Sequence, residues 1–263
     1  MPLEASFIPT RFENKVVIVT GAESGIGKAT ATRFAQEGAN VYGLGLRAEI
    51  GEAWVKDMTR LGLKVSFMVC DLRKSTDIST VVNGIGEENT GIDVVVNNAG
   101  TFLFRSVDET SEDEWDNVLD TNLKGVYLVS KYAIPFLRKR GGGSIINVAS
   151  VHAFATMEKV AAYAASKGAV VALSRQMAID YTKDLIRVNS VVVGGVDTDM
   201  STAHALAIGR PLEDLGFDSD QTKLGRAAQP HEIAAGITFL ASSDASFVIG
   251  APFIIDGGLL TDL

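Results

Sequence analysis

A chain of 263 residues with 46% hydrophobic and 21% charged residues has the length and balance of one globular α/β domain and gives no sign of disorder. A formal net charge of -8, with no basic run longer than Arg138-Lys139-Arg140, argues against nucleic acid as a main partner, because phosphate contacts need clustered Lys and Arg. The single cysteine, Cys70, excludes an internal disulfide; no apolar run reaches the ~20 residues of a membrane span, and MPLEASFIPTRFENK shows no signal-peptide pattern, so a cytoplasmic protein is expected.

Lys15 to Thr20, KVVIVT, is a short apolar strand that runs into Gly21-Ala22-Glu23-Ser24-Gly25-Ile26-Gly27 and then the helical stretch Lys28 to Glu37. That order brings backbone N–H groups and a helix N-terminus to a pyrophosphate, although such turns also occur without ligands. A second strand, Asn40 to Leu46, a helix over Glu49 to Leu61 and a third strand, Lys64 to Val69, follow. Next comes Cys70-Asp71-Leu72, where Cys70 reads as a buried structural thiol and Asp71 as a cap of the following turn or a cofactor ligand. Strand Asp93 to Val96 ends in Asn97-Asn98-Ala99-Gly100; the small residues let the backbone lie close to a ligand, and the amides can tie neighbouring strands, a structural role expected of Asn97.

Ser111 to Lys139 reads as one long helix opened by a capping box, with Arg138-Lys139-Arg140 a solvated cap at its end. An isolated amide such as Asn122 inside a helix usually faces solvent. Ser144 to Val148 is a strand and Ala161 to Tyr181 a helix, so Ser150 falls just past a strand and Tyr163 early in a helix, with Lys167 four residues on along the same face. A phenol with a pKa near ~10 is a poor base at neutral pH, but an adjacent ammonium lowers that value. A hydroxyl at the strand end can hold a substrate oxygen while the phenol exchanges its proton. Taken alone, such a pair is far more often an ordinary amphipathic one on a helix, with Ser150 a loop hydroxyl. His152 alternates onto the side of Ser150 and either lines a pocket or is a plain loop histidine.

Strand Ile186 to Val193 precedes Gly194-Gly195-Val196-Asp197-Thr198. Asp199 to Leu224 is polar and irregular in pattern, with Pro211 and the acidic residues Glu213, Asp214, Asp218 and Asp220, and reads as a lid in which His204 is a solvated helix residue rather than a substrate contact. A helix, Pro230 to Ser242, and a last strand, Ile249 to Ile255, lead to Asp256-Gly257-Gly258. No His, Cys or Asp cluster has metal-ligand spacing, so no catalytic metal is expected.

Thr20 to Gly27 resembles TGxxxGxG, Asn97 to Gly100 NNAG and Asn122 to Gly125 NxxG; Ser150 stands twelve intervening residues before Tyr163-Ala164-Ala165-Ser166-Lys167. From about Lys15 to Gly258 the chain therefore resembles the short-chain dehydrogenase/reductase family. The resemblance implies a single NAD(P)-binding domain over 1–263, a doubly wound, mainly parallel Rossmann-type sheet with helices on both faces. The cofactor half would span about 15–110, the catalytic half about 111–258 and the substrate lid about 199–224.

It further implies reversible oxidation of a secondary alcohol to a ketone. Tyr163 would act as acid or base, Ser150 would steady the oxygen, Lys167 would lower the phenol pKa and bind the nicotinamide ribose, and Asn122 would hold a water that extends the proton relay. Cofactor contacts fall on Gly21, Glu23, Ser24, Gly25, Ile26 and Gly27 in the turn, Arg47 after the second strand, Asp71 and Leu72 at the adenine, Asn98, Ala99 and Gly100 on the ribose and nicotinamide side with Tyr163 and Lys167, and Val196 and Thr198 at the carboxamide. NAD against NADP stays open: Gly45 takes the place of the NAD-selecting acidic residue, and Ser24 and Leu46 take places where NADP-preferring members carry Arg. Arg47 could meet a 2′-phosphate that Glu23 would repel, and Glu23 could instead bind a ribose hydroxyl; Arg47 is at least as readily a plain surface charge. Val193-Gly194 replaces the usual Pro-Gly, so that turn is expected to be looser. A homotetramer or dimer acting on a small alcohol or ketone is implied; a sugar or polyol dehydrogenase and a non-catalytic cofactor sensor are the rival readings.

Overall fold

Seven runs of β-branched and small residues form one sheet: β1 (Val16–Thr20), β2 (Asn40–Gly45), β3 (Val65–Val69), β4 (Val94–Asn97), β5 (Gly143–Ser150), β6 (Ile186–Val193) and β7 (Pro252–Ile255). The computed structural model describes residues 8–209 and 222–261. The strand order is β3-β2-β1-β4-β5-β6-β7 and every pairing is parallel. Parallel neighbours need crossovers, which here are largely helical and cover both faces.

Alternation along β1 assigns the two faces. Val17 and Val19 join a core with Phe34 of α1 (Gly25–Gln36), Trp54 of α2 (Ala48–Arg60) and Ile233 and Ile237 of α8 (Pro230–Ala241). Val16 and Ile18 join the opposite core with Ile78 of α3 (Ser75–Glu88), Leu128 and Val129 of α5 (Gly125–Lys139) and Met177 of α6 (Ala161–Tyr181). This is the doubly wound α/β architecture that the sequence implies.

The expected single helix from Ser111 to Lys139 is divided. Its capping box is present, with Ser111 Oγ accepting from the Glu114 N–H, but α4 (Glu112–Leu119) passes through a π-helical turn, Asp120–Lys124, before α5 begins. Asn122 sits fully buried in that turn rather than facing solvent. Its amide binds protein groups outside the helix, which rewards the wider turn that aims it inward.

The basic end of α5 is paired rather than merely solvated: Arg138 meets Asp184 at 2.7 Å and Arg140 meets Asp93 at 3.5 Å. Part of the expected lid is helical, α7 (Asp199–Ile208), opened by Thr198 and Ser201 in reciprocal hydrogen bonds. Pro211, Glu213, Asp214, Asp218 and Asp220 lie outside the described residues. Cys70 is buried as expected, and burial, with Asp77 and Asp71 nearby, pushes its thiol up to about 11. Among the described residues no helix is long and apolar enough to cross a membrane.

Candidate active site

The chain leaves β1 toward α1 on one face and leaves β4 toward the other, so the carboxyl ends of these neighbouring strands part and open a crevice. A cleft of about 1380 Å³ occupies this position, running from Gly45 and Asp71 past Gly21 and Ala99 to Ser150, Tyr163 and His204.

Of the expected cofactor contacts, Gly21, Glu23, Ser24, Gly25, Ile26, Arg47, Asp71, Leu72, Asn98, Ala99, Gly100, Val196 and Thr198 all line the cleft. Gly27 does not; it lies beneath the turn, where an added Cβ would stand 2.0 Å from the Gly21 carbonyl oxygen. Its part is to let the turn fold tightly over α1. Thr20 Oγ1 accepts from the N–H groups of Asn98 and Ala99, both at 3.0 Å, and Asn98 Nδ2 donates to Thr20 O, which locks the glycine turn to the end of β4. Behind this edge Asn97 has the structural role expected of it: Nδ2 donates to Asn147 Oδ1 at 2.8 Å and to Ser130 Oγ, and Asn147 donates on to Ser174 in α6.

Asp71 is held more tightly than a plain cap. Arg73, which no sequence motif marks, donates to both its oxygens and holds its carboxyl below the usual carboxylate range. The turn expected to be loose for want of proline is tied on two sides, by the Gly194 N–H to Ile255 O and by reciprocal backbone bonds between 195–197 and Ala228. Val196 is thereby buried and fixed.

The residues present fit a nicotinamide dinucleotide. α1 starts at Gly25 with no side-chain cap from Ser24, so its first-turn N–H groups stand beside the cleft, and one oxygen of Glu23 is buried there without a protein partner.

At the other end of the cleft three expected residues converge. Ser150 closes β5 as its last residue, Tyr163 lies in the first turn of α6 and Lys167 one turn further. Ser150 hydrogen-bonds the Tyr163 phenol, and Lys167 Nζ stands 5.6 Å from the centre of that ring, donating to Val148 O at 2.9 Å. The expected lowering of the phenol by the ammonium is not what these groups produce. Burial pushes Tyr163 above its ordinary value, the Ser150 hydrogen bond opposing, and burial pushes Lys167 down to about 8.

Asn122 does not reach the cleft. Its Oδ1 accepts from the Thr101 N–H at 2.7 Å, and its Nδ2 donates to Thr101 O and Ser166 Oγ. Both amide hydrogens are thus engaged by protein.

The wall facing Tyr163 is aromatic. Phe102 packs against Tyr163 with ring centres 4.8 Å apart and against His204 at 4.2 Å, while Phe104 lies 5.5 Å from His204. His204 is therefore a pocket residue, not a solvated one: its Nε2 is buried with no protein partner, and burial lowers its pKa. His152 also lines the pocket, edge-on to Tyr163 at 5.6 Å, with Nδ1 3.0 Å from Thr156 Oγ1. Phe102 and Phe104 escape a reading of the sequence because the loop after Gly100 has no periodicity to mark them.

A parallel sheet with a nucleotide crevice at its switch point, a glycine turn opening α1 and a phenol–hydroxyl pair in the same cleft define a nicotinamide-dependent oxidoreductase. Residues 21–260 match the family model described as Enoyl-(Acyl carrier protein) reductase. The chain is 38% identical over 248 residues to a cyclopentanol dehydrogenase of Comamonas sp. (strain NCIMB 9872), covering 94% of this chain and 98% of that one. It is 40% identical over 248 residues to a meso-2,3-butanediol dehydrogenase of Serratia marcescens, covering 94% and 95%. A crystal structure of gox2181 superposes with a TM-score of 0.91 at 27% identity, covering 97% and 98% of the two chains. The chain belongs to the short-chain dehydrogenase/reductase family, and it is an NAD(P)-dependent oxidoreductase acting on CH–OH groups.

Proposed function

We propose that the protein interconverts a small secondary alcohol and its ketone, with Tyr163 as the proton-transferring group. The observation that carries this reading is the convergence of Ser150, Tyr163 and Lys167 on one end of the nucleotide cleft. A nicotinamide bound there supplies the hydride acceptor for oxidation and the hydride donor for reduction. Ser150 Oγ holds the substrate oxygen and Tyr163 Oη takes or returns its proton. Lys167, fixed by Val148 O, puts its ammonium beside the phenol. Asn122 is a positioning residue: it clamps Thr101 and Ser166, and Ser166 in turn donates to Tyr163 O at 2.7 Å.

The pH dependence tests this assignment. Because Tyr163 is held above its ordinary value, it is a protonated acid at neutral pH, ready for reduction, and oxidation must wait for the phenolate. Oxidative kcat/KM should rise from mildly acidic pH toward about 8, whereas reductive kcat/KM should be flat there and decline above about 8 as Lys167 and then Tyr163 lose their protons. An oxidative rate that falls over that range would contradict the reading.

The aromatic wall supports a compact, largely apolar substrate, in keeping with relatives named for cyclopentanol and 2,3-butanediol. The unpartnered Nε2 of His204 favours, as a second reading, a substrate with another oxygen, such as a vicinal diol or hydroxyketone. His204→Phe keeps the ring contacts and removes the nitrogen. It should lower kcat/KM for 2,3-butanediol about tenfold while sparing cyclopentanol; equal losses on both would leave only the apolar reading. A homo-oligomer is also proposed, supported by Phe247, Ile249 and Ile254, exposed on or just before the edge strand β7.

A further inference from the structure

The place at the end of β2 where Rossmann folds present a carboxylate to the adenosine ribose is held by Gly45, which has no side chain. The space is nonetheless filled by a carboxylate. Glu23 reaches across from the glycine turn, so that a Cβ built on Gly45 would stand 1.9 Å from Glu23 Oε2 and 2.6 Å from Oε1. No side chain other than hydrogen is compatible with Glu23 in this position.

The two oxygens of Glu23 have different surroundings. Oε1 accepts from the Leu46 N–H at 3.1 Å and has Arg47 Nε at 3.8 Å. Oε2 is buried and has no hydrogen-bond partner, although Glu23 is only 9% exposed and lines the cleft. A buried carboxylate oxygen left without a donor is costly, and in native proteins such an atom calls for a partner. A ribose hydroxyl supplies one when the Glu23 carboxylate turns from Gly45 into the cleft that it lines. A 2′-phosphate would instead bring about two negative charges against the same oxygen. Arg47 does not reverse this, since its Nε already lies toward Glu23 and its side chain is 46% exposed.

We infer that Glu23 replaces the missing strand-end acid, reads the adenosine ribose hydroxyls through Oε2, and makes this protein selective for NAD(H) over NADP(H). The selectivity is thus built from two positions 22 residues apart, a glycine that vacates the site and a glutamate that enters it. This inference rests on the nicotinamide-dependent reading but not on the assignment of Tyr163.

Dissociation constants for NADH and NADPH, read from nucleotide fluorescence on the wild type, Glu23→Ala and the double variant Glu23→Ala/Gly45→Asp, test it without turnover. The wild type should bind NADH at least about tenfold more tightly than NADPH, and Glu23→Ala should lose about tenfold in NADH affinity and most of the discrimination, the magnitude of one hydrogen bond to a charged group. In the double variant the Cβ introduced at position 45 no longer meets the Glu23 carboxylate, and the strand-end acid it carries should restore the preference for NADH. A wild type that binds NADPH as tightly as NADH, or a Glu23→Ala variant that weakens both by the same factor, would overturn the inference alone; a protein that binds neither would overturn the oxidoreductase reading with it.

Discussion

Tyr163→Phe should lose about a thousandfold in kcat while binding reduced nucleotide as the wild type does. The substitution removes one oxygen and leaves the ring where it is, wedged against Phe102 at 4.8 Å and His152 at 5.6 Å. Ser150 loses its contact with the phenol but still accepts from the His152 N–H, so the folded state should weaken by only about 1 kcal/mol. Rate, nucleotide affinity and thermal midpoint measured together separate a chemical loss from a structural one. A variant turning over near the wild-type rate would show that another group carries the proton.

Asn122→Leu should be the most damaging change that touches no substrate. The side chain is fully buried and makes three hydrogen bonds, two to the Thr101 backbone and one to Ser166. Leucine fits the volume and offers none of them, so groups at Thr101 and Ser166 lose partners in a largely dry setting, at a cost of about 3 kcal/mol. The urea midpoint should fall accordingly. The effect on chemistry is indirect: Ser166 anchors the carbonyl of Tyr163, and Gly100, next to Thr101, lies alongside Lys167 Nζ. Well below the unfolding transition, kcat should therefore drop, and the pH above which reduction declines should move from its wild-type position. An unchanged urea midpoint would mean that the π-helical turn is held by something else.

These two residues mark how far the sequence can be read. Tyr163 and Lys167 are legible because an Ala-rich run with 3.6-residue periodicity fixes their shared face, and α6 and β6 have the bounds that the pattern predicts. Asn122 is legible as a residue type but not as a geometry, since nothing in Asp120–Lys124 announces a π turn. Helix α3 is hard to foresee because STDISTVVNGIGEE is rich in β-branched residues and glycine; burial of Ile78, Val82 and Ile85 at i, i+4 and i+7 overrides that weak propensity. Helix α7, DMSTAHALAI, has no one-sided apolar spacing to mark it, and packing against Phe102 turns His204 away from the solvent that its pattern predicts for it.

The phenol pKa departs from expectation for a physical reason as well. Spacing predicts that an ammonium lies near, but not how much water the site excludes, and burial raises the phenol more than the Ser150 hydrogen bond lowers it. The meeting of Glu23 with Gly45 depends on the glycine turn and the end of β2 being brought together by the β1–β2 pairing, which no local pattern encodes.

The most direct test of the account is the fate of one hydrogen. Cyclopentanol and 2,3-butanediol carrying deuterium at the carbinol carbons should each be offered to the wild-type protein with oxidised nucleotide, and the products weighed by mass spectrometry. Direct transfer predicts one deuterium in every reduced nucleotide formed, with ketone appearing in equal amount. Unlabelled reduced nucleotide, or reduced nucleotide formed without ketone, would contradict it.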